Sequence, residues 1–441
     1  SGDLHITNPG IWSLLPDTIF LNVKELIEDG LDLKGKSLGV TRITSTKDLD
    51  SLTTSLSMVI SLVSKETSQE VVMDGLIPLL SKHSKDISDL EIRLANAFST
   101  ASTSSKYGKS PTLVSFLVQL GSDTKIIKTI LSAYKEHVKI TPIPKIGLII
   151  DYEKGKITDV SDVLSEIIAL GGQILFTKEQ TSNKGVLRVD IKNAGTTSIK
   201  LQSLSINLPR LAFESNKDET YFRARLALLM KPALSSMSLR KKDISDLTRR
   251  GLNPILASNT QYMQRGSVSL VINLVGLHEA VFNILGHESN KEGKDILYKV
   301  IDTAVSVAKK KGKETGDTIN VCMIESEGSN RFATLDGEKY GKTSVLKTLD
   351  GESYSEGIVF DAGEISGFSA KSDKIVECNK MAKMLDGGLL AKIKFSKDAK
   401  ADEIKTIIEK ASDLLSSFKP VKPVAICGNC GLKDEKLGDK C

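Results

Sequence analysis

Cysteine is scarce in this chain: five residues in 441. That is no disulfide framework, and it points to a reducing cytoplasm. Aromatic residues make up only 5%, with a single tryptophan, Trp12, which argues against base-stacking platforms. No charge of one sign dominates. Sixty basic residues against 55 acidic ones leave +5, a mild excess that does not by itself imply nucleic acid. Long apolar runs are missing too. The longest, Val268 to Leu285, is broken by Asn273, His278, Glu279 and Asn283, which a lipid-facing helix would not carry, so no membrane partner is expected. The opening Ser1-Gly2-Asp3 has neither a basic region nor an apolar core, so no secretory signal is expected. With no initiator Met, a trimmed chain or fragment is expected. There is no Walker loop, no GxGxxG and no GxSxG.

What is present is ordinary globular material, 40% hydrophobic and 26% charged, with ample apolar surface to bury. The first third reads as helical. Asp48 to Ser64, Gln69 to Lys82 and Asp86 to Ser99 carry apolar residues at helical spacing, and Ser99 to Ser105 reads as a loop. The apolar stripes either pack as an intramolecular bundle or form a homodimer interface. From Pro142 onward, β and α patterns alternate. Strands are predicted at Lys145 to Asp151, Gln173 to Thr177, Leu201 to Leu208, Ser267 to Leu274, Asp317 to Ile324 and Leu389 to Phe395. Helices are predicted after Asp159 as N-cap, with Gly171-Gly172 as its stop. Others are predicted at Asp218 to Met230, Gly276 to Leu285, Asn290 to Lys311 and Ala401 to Ser417. Such alternation implies βαβ units, so 145–151, 173–177 and 201–207 are expected to run parallel in one barrel.

The sharpest local motif is Cys427-Gly428-Asn429-Cys430-Gly431. Two thiolates on a tight turn suit zinc, with Cys441 as a third ligand. Asp434, Glu435 and Asp439 are within reach in sequence, but thiolate-rich sites seldom recruit carboxylates, so a fourth Cys beyond residue 441 is expected. The alternative is a pair of exposed thiols. A redox CxxC is disfavoured because no strand-to-helix context follows. Cys322 reads as a buried inert thiol in a strand, and Cys378 stands alone. His5, His83, His137, His278 and His287 are scattered and read as structural. Lys309-Lys310-Lys311 reads as a solvated helix end.

Three strings go further. Ser205 to Glu214 reads SINLPRLAFE, Gly276 to Gly286 reads GLHEAVFNILG, and Lys313 to Asp336 contains KETG followed by RFATLD. In this order they resemble the large chain of class III ribonucleotide reductase, the anaerobic, glycyl-radical ribonucleoside-triphosphate reductase. Gly2 to Ile6 (GDLHI), Gly108 to Val114 (GKSPTLV), Thr141 to Asp151 (TPIPKIGLIID) and the cysteine tail extend the resemblance over nearly the whole chain. It implies a ten-stranded α/β barrel with a finger loop through its centre. It divides the chain into a mainly helical part, 1–141, a barrel with finger loop, 142–420, and an incomplete zinc-ribbon-like tail, 421–441.

The resemblance also implies a thiyl cysteine at the finger tip, a partner cysteine, an assisting asparagine and a C-terminal radical glycine. Here those positions read Leu187, Thr18 and Lys200, and no Gly-Tyr pair occurs. No cysteine precedes Cys322, whatever the alignment. The stretch Met323-Ile324-Glu325-Ser326-Glu327 lacks the proline of the family's phosphate-binding stretch. The expectation is a degenerate homologue with no catalytic residue of the radical reaction, acting as a nucleotide-binding regulator or scaffold. Alternatives are a structural partner of a larger, nucleic-acid-containing assembly, an enzyme running another reaction, and deoxyribonucleotide synthesis as one chain of a multi-chain reductase.

Overall fold

The computed structural model describes residues 2–6, 14–28, 30–32, 42–43, 48–83, 87–104, 112–178, 199–258, 268–286, 291–346, 353–431 and 433. Its strands are β1 (Leu4–Ile6), β2 (Thr18–Asn22), β3 (Leu31–Asp32), β4 (Arg42–Ile43), β5 (Glu70–Asp74), β6 (Leu113–Gln119), β7 (Ile146–Asp151), β8 (Gln173–Thr177), β9 (Ile199–Asn207), β10 (Val268–Val275), β11 (Thr318–Cys322), β12 (Ile358–Asp361), β13 (Ala391–Lys394) and β14 (Ser417–Val421). Near-continuous apolar runs such as IGLIID, buried at all six positions, form strands covered on both faces.

Twelve strands join one sheet in the order β11-β10-β9-β2-β5-β6-β7-β8-β14-β13-β12, with β1 beside β9; β3 and β4 pair separately. β2, β5, β6, β7 and β8 are mutually parallel. So are β9, β10 and β11, and again β12, β13 and β14. The direction reverses at β2–β9 and at β8–β14. A parallel bridge, Met323 to Leu389, links the segment after β11 to the segment leading into β13, with Leu390 N donating to Met323 O at 2.9 Å.

Helices cover the sheet. Thr124–Ile140 is capped by Asp123, which accepts from Lys125 N and Ile126 N, and its Tyr134 hydroxyl donates to Ile146 O at 2.8 Å. The stripes of Leu49–Val63 and Ile87–Ser104 bury Leu52, Leu56, Leu94 and Phe98 in the main core. No helix among the described residues is long and apolar enough to cross a membrane.

Several sequence expectations need correction. Gln69 to Lys82 is not one helix but β5 followed by the helix Leu76–His83. Gly75, at φ +81°, turns between them where a Cβ would meet Asn22 Oδ1. A short apolar run with paired valines satisfies both periodicities, and the sheet decides it. Ser99 to Ser104 is no loop, because the helix runs to Ser104 and Ser99 Oγ donates back to Ala95 O; Ser105 lies outside the described residues. Asp159 lies in a 3₁₀ turn, and Val160 occupies the N-cap of Ser161–Ala169. The helix after Asp218 runs from Glu219 to Arg249, through Pro232. The strand at 201–207 shares the sheet with 145–151 and 173–177 but opposes them. It pairs against β2 rather than beside β8, so the simple parallel crossover fails there.

Candidate functional site

The strings that carry the resemblance meet in space. Asp336, of RFATLD, accepts from Arg210 Nε at 2.6 Å, Asn207 Nδ2 at 2.9 Å and the Tyr354 hydroxyl at 2.9 Å. Asn207 and Arg210 belong to SINLPRLAFE. Glu279, of GLHEAVFNILG, accepts from both Ser355 N and Ser355 Oγ at 2.6 Å. Asn207, Arg210, Glu279, Asp336 and Tyr354 are all buried. This network is buried and paired within the chain, so it holds parts of the chain together rather than facing a ligand.

A cavity of about 580 Å³ opens on the other side of these elements, within the size range of small-molecule sites. Side chains from β5, β6, β7, β8, β9 and β14 line it, so strands from distant places in the order curve around one space. Its wall is charged. Lys392 bonds Glu356 at 2.7 Å and Glu325 at 3.2 Å, and Lys419 bonds Glu325 at 2.7 Å. Burial pushes the Glu325 carboxyl up, but Lys419 and Lys392 outweigh it and hold the group below the usual range. Glu70 accepts from Ser115 Oγ at 2.5 Å. Burial raises its carboxyl, with Ser115 and Lys200 opposing.

Topology brings two of the expected positions together. Thr18 on β2 lies opposite Lys200 on β9 and beside Glu70 on β5, and directly opposed residues project from one face. Asp17 fixes this corner. It accepts from Ser203 N at 2.5 Å and Ser68 Oγ at 3.1 Å, while the fully buried Arg240 donates to Leu15 O and Leu201 O. Thr18 Oγ1 and Gln69 Nε2 are buried without a hydrogen-bond partner among the described residues. Leu187 and the finger-tip stretch lie outside the described residues.

No cysteine lines the cavity among the described residues. Cys322 packs with Ile324 and Leu390 behind the wall and donates to Asn273 Oδ1 at 3.6 Å. Burial drives its thiol far up, and that of Cys378 up to about 12, which makes both poor nucleophiles. His137 is buried between Ser99, Ser102 and Thr141, as a structural histidine.

In the tail, Gly431 N donates to Cys427 O at 2.9 Å, Gly431 takes φ +75° and Ile426 pairs with Lys433. This tight turn carries both Cys427 and Cys430. Cys441 lies outside the described residues. No group of three potential ligands gathers among the described ones. The reading from sequence reached Glu325 only within the stretch 323–327 and missed Glu70, Ser115, Glu356, Lys392 and Lys419. They are single residues on separate segments, with no local spacing to mark them.

Comparison with known proteins adds a family. The profile of the anaerobic ribonucleoside-triphosphate reductase family matches residues 147–441. An anaerobic ribonucleoside-triphosphate reductase of Haemophilus influenzae is 27% identical over 161 residues, 31% of this chain and 22% of that relative, so the match spans about a fifth of its length. The fold is similar to that of the Thermotoga maritima anaerobic ribonucleotide reductase with dATP in its specificity site (TM-score 0.72, 15% identity, covering 100% of this chain and 80% of that one). It is also similar to the same reductase in complex with dATP and CTP (TM-score 0.73, 16% identity, 100% and 79%). A glycyl radical enzyme from Archaeoglobus fulgidus is more distant (TM-score 0.57, 13% identity, 86% and 62%).

Proposed function

We propose, for a chain that belongs to the anaerobic ribonucleoside-triphosphate reductase family, that it keeps the family's scaffold without its radical reduction and binds a small polar ligand in the cavity. The observation that carries this reading is the wall itself. It has no cysteine among its described residues, and Thr18 and Lys200 stand at the positions where the resemblance puts a partner thiol and an amide. Neither hydroxyl nor ammonium forms a hydrogen-abstracting sulfur radical, and no cysteine precedes Cys322 to supply one.

We read the sheet as a ten-stranded barrel of two five-strand halves. One is β2, β5, β6, β7 and β8; the other is β9, β10, β11, β13 and β14. The two antiparallel seams and the Met323–Leu389 bridge support closure, with the cavity inside. We also read Cys427, Cys430 and Cys441 as zinc ligands, supported by the Cys427–Gly431 turn. Bound zinc would fix the tail, because binding energy in so small a module is folding energy. Metal analysis of a longer chain should find about one zinc per chain, for one tetrahedral site, and Cys430→Ser should release it.

The related structures that hold dATP and CTP make nucleosides and nucleotides the first ligands to try. In thermal denaturation, a ligand at ~100 times its Kd stabilises by roughly 2.7 kcal/mol. At least one should raise the midpoint of the wild-type chain. Gly147 lines the cavity, and a Cβ there meets only ordinary contacts, Ser115 Oγ at 3.4 Å and Gln173 Cβ at 3.5 Å. Gly147→Val should therefore fold, fill the space and abolish the shift. If no ligand shifts the wild type, the reading fails.

A further inference from the structure

The nature of the cavity's ligand can be narrowed, on the reading that the cavity binds one. A phosphate seeks two things: surplus positive charge and unused backbone amides at a helix start. Among its described residues the cavity wall has no surplus of positive charge, and amides at its helix start are already taken.

Four carboxylates line it, Glu70, Glu325, Glu327 and Glu356, against two lysines, Lys200 and Lys419. A third lysine, Lys392, is already bonded to Glu325 and Glu356. Even with Glu70 protonated the wall has no positive surplus among its described residues. A triphosphate would bring several more negative charges into it, and like charges brought together in a partly desolvated site repel strongly.

The helix Gly328–Tyr340 begins at the cavity, where Ser326, Glu327 and Ser329 line the wall. Two of its first amides are used, Gly328 N by Ser326 Oγ at 3.0 Å and Ser329 N by Ser326 O at 3.3 Å; just before the helix, Ser326 N donates to Glu356 Oε1 at 2.8 Å. The Glu356 carboxylate thus takes the Ser326 amide, which a phosphate oxygen would otherwise be free to use.

The groups left without partners are neutral. Thr18 Oγ1, Gln69 Nε2 and Ser417 Oγ are buried and unpaired among the described residues. Gln69 lines the cavity. Thr18 lies directly opposite Lys200 and Glu70, which do too. Ser417 is two residues from Lys419 along β14, so it projects from the same face as that cavity lysine. A buried hydroxyl or amide without a partner has lost its water without replacement, and a ligand hydroxyl would restore the missing bond.

We propose that this cavity takes an uncharged, hydroxyl-bearing ligand of nucleoside class, without phosphate. Among its described residues, the wall's own carboxylates already offset its lysines.

The test compares cavity-dependent binding, defined as the difference between the wild-type chain and Gly147→Val. Leu113→Phe serves as a second plug should Gly147→Val not fold. Isothermal titrations use the four ribonucleosides and their triphosphates. At least one ribonucleoside should bind the wild-type chain tighter than its own triphosphate by on the order of 100-fold, as like-charge contact excludes the latter. Glu356→Gln removes one charge and should narrow that ratio roughly tenfold. Cavity-dependent binding of triphosphates at equal or higher affinity would overturn this inference and leave the cavity as a ligand site. Cavity-dependent binding of neither class would overturn both.

Discussion

Two buried polar regions of this molecule behave in opposite ways. Around Asp336 every partner is in place: a guanidinium, an amide and a phenol converge on one carboxylate. At the corner of Thr18, Gln69 and Lys200, polar atoms remain unpaired among the described residues. The first region is built from the strings that carry the family resemblance. The second contains the positions at which the chain departs from it. Residues that mark a family by sequence can thus be scaffold residues, because a buried ion pair cannot lose one member cheaply. A cavity wall tolerates replacement, since its groups face open space.

The comparison breaks most visibly at Asp336. Asp336→Ala leaves the Arg210 guanidinium buried without its anion, and we expect a loss of about 3–5 kcal/mol in urea denaturation. Glu327→Gln, at the exposed cavity rim, should stay within about 0.5 kcal/mol. A loss below about 1 kcal/mol at Asp336 would remove the contrast.

Next in size is Ser355→Ala. It deletes one donor to the Glu279 carboxylate, and hydrogen bonds to charged groups contribute about 1.5–3 kcal/mol. The same denaturation series reads it, and an unchanged midpoint would show that the backbone amide of Ser355 suffices.

The dry regions should also show in the pH dependence. Burial, with Lys433 nearby, holds the His137 imidazole down to about 4, against an ordinary 6.5. A histidine depressed in the folded state binds fewer protons there than in the unfolded chain between these values. Its contribution is therefore present above about 6.5 and lost as pH falls toward about 4. We expect up to roughly 3 kcal/mol from this residue. His137→Gln should flatten the stability profile between pH 6.5 and 4, and an unchanged slope would remove His137 as its source.

The smallest effect carries the opposite sign. Thr18→Val keeps the shape and removes an unpaired buried hydroxyl, so the chain should gain about 1 kcal/mol. Destabilisation instead would mean that the hydroxyl is paired, and that the cavity corner resembles the Asp336 network after all.

How much of this was legible from sequence follows from what is local. The strands at 146–151, 173–177 and 268–275 were legible because unbroken apolar runs between turn signals leave little choice. The cysteine turn was legible because both thiols lie within four residues. β5 was misread because EVVMD is short and runs straight on to Gly75 and another apolar stretch. The reversal of β9 was not legible at all, because pairing partners far apart in sequence decide it. Thr18 and Lys200 came from the resemblance, and the sheet then placed them opposite each other. Glu325 entered only as part of the stretch 323–327, and Glu356, Lys392 and Lys419 gave no signal, since only the folded sheet makes the four neighbours.

The central claim is that the scaffold persists without the radical reaction. It is tested most directly by anaerobic turnover. The full chain, a radical-installing activating partner and a ribonucleoside triphosphate are incubated, and deoxyribonucleotide is measured against a blank without the chain. The account predicts no product above the blank, and none from Leu187→Cys alone, since Thr18 and Lys200 would still replace the assisting groups. Deoxyribonucleotide that depends on the unaltered chain would contradict it.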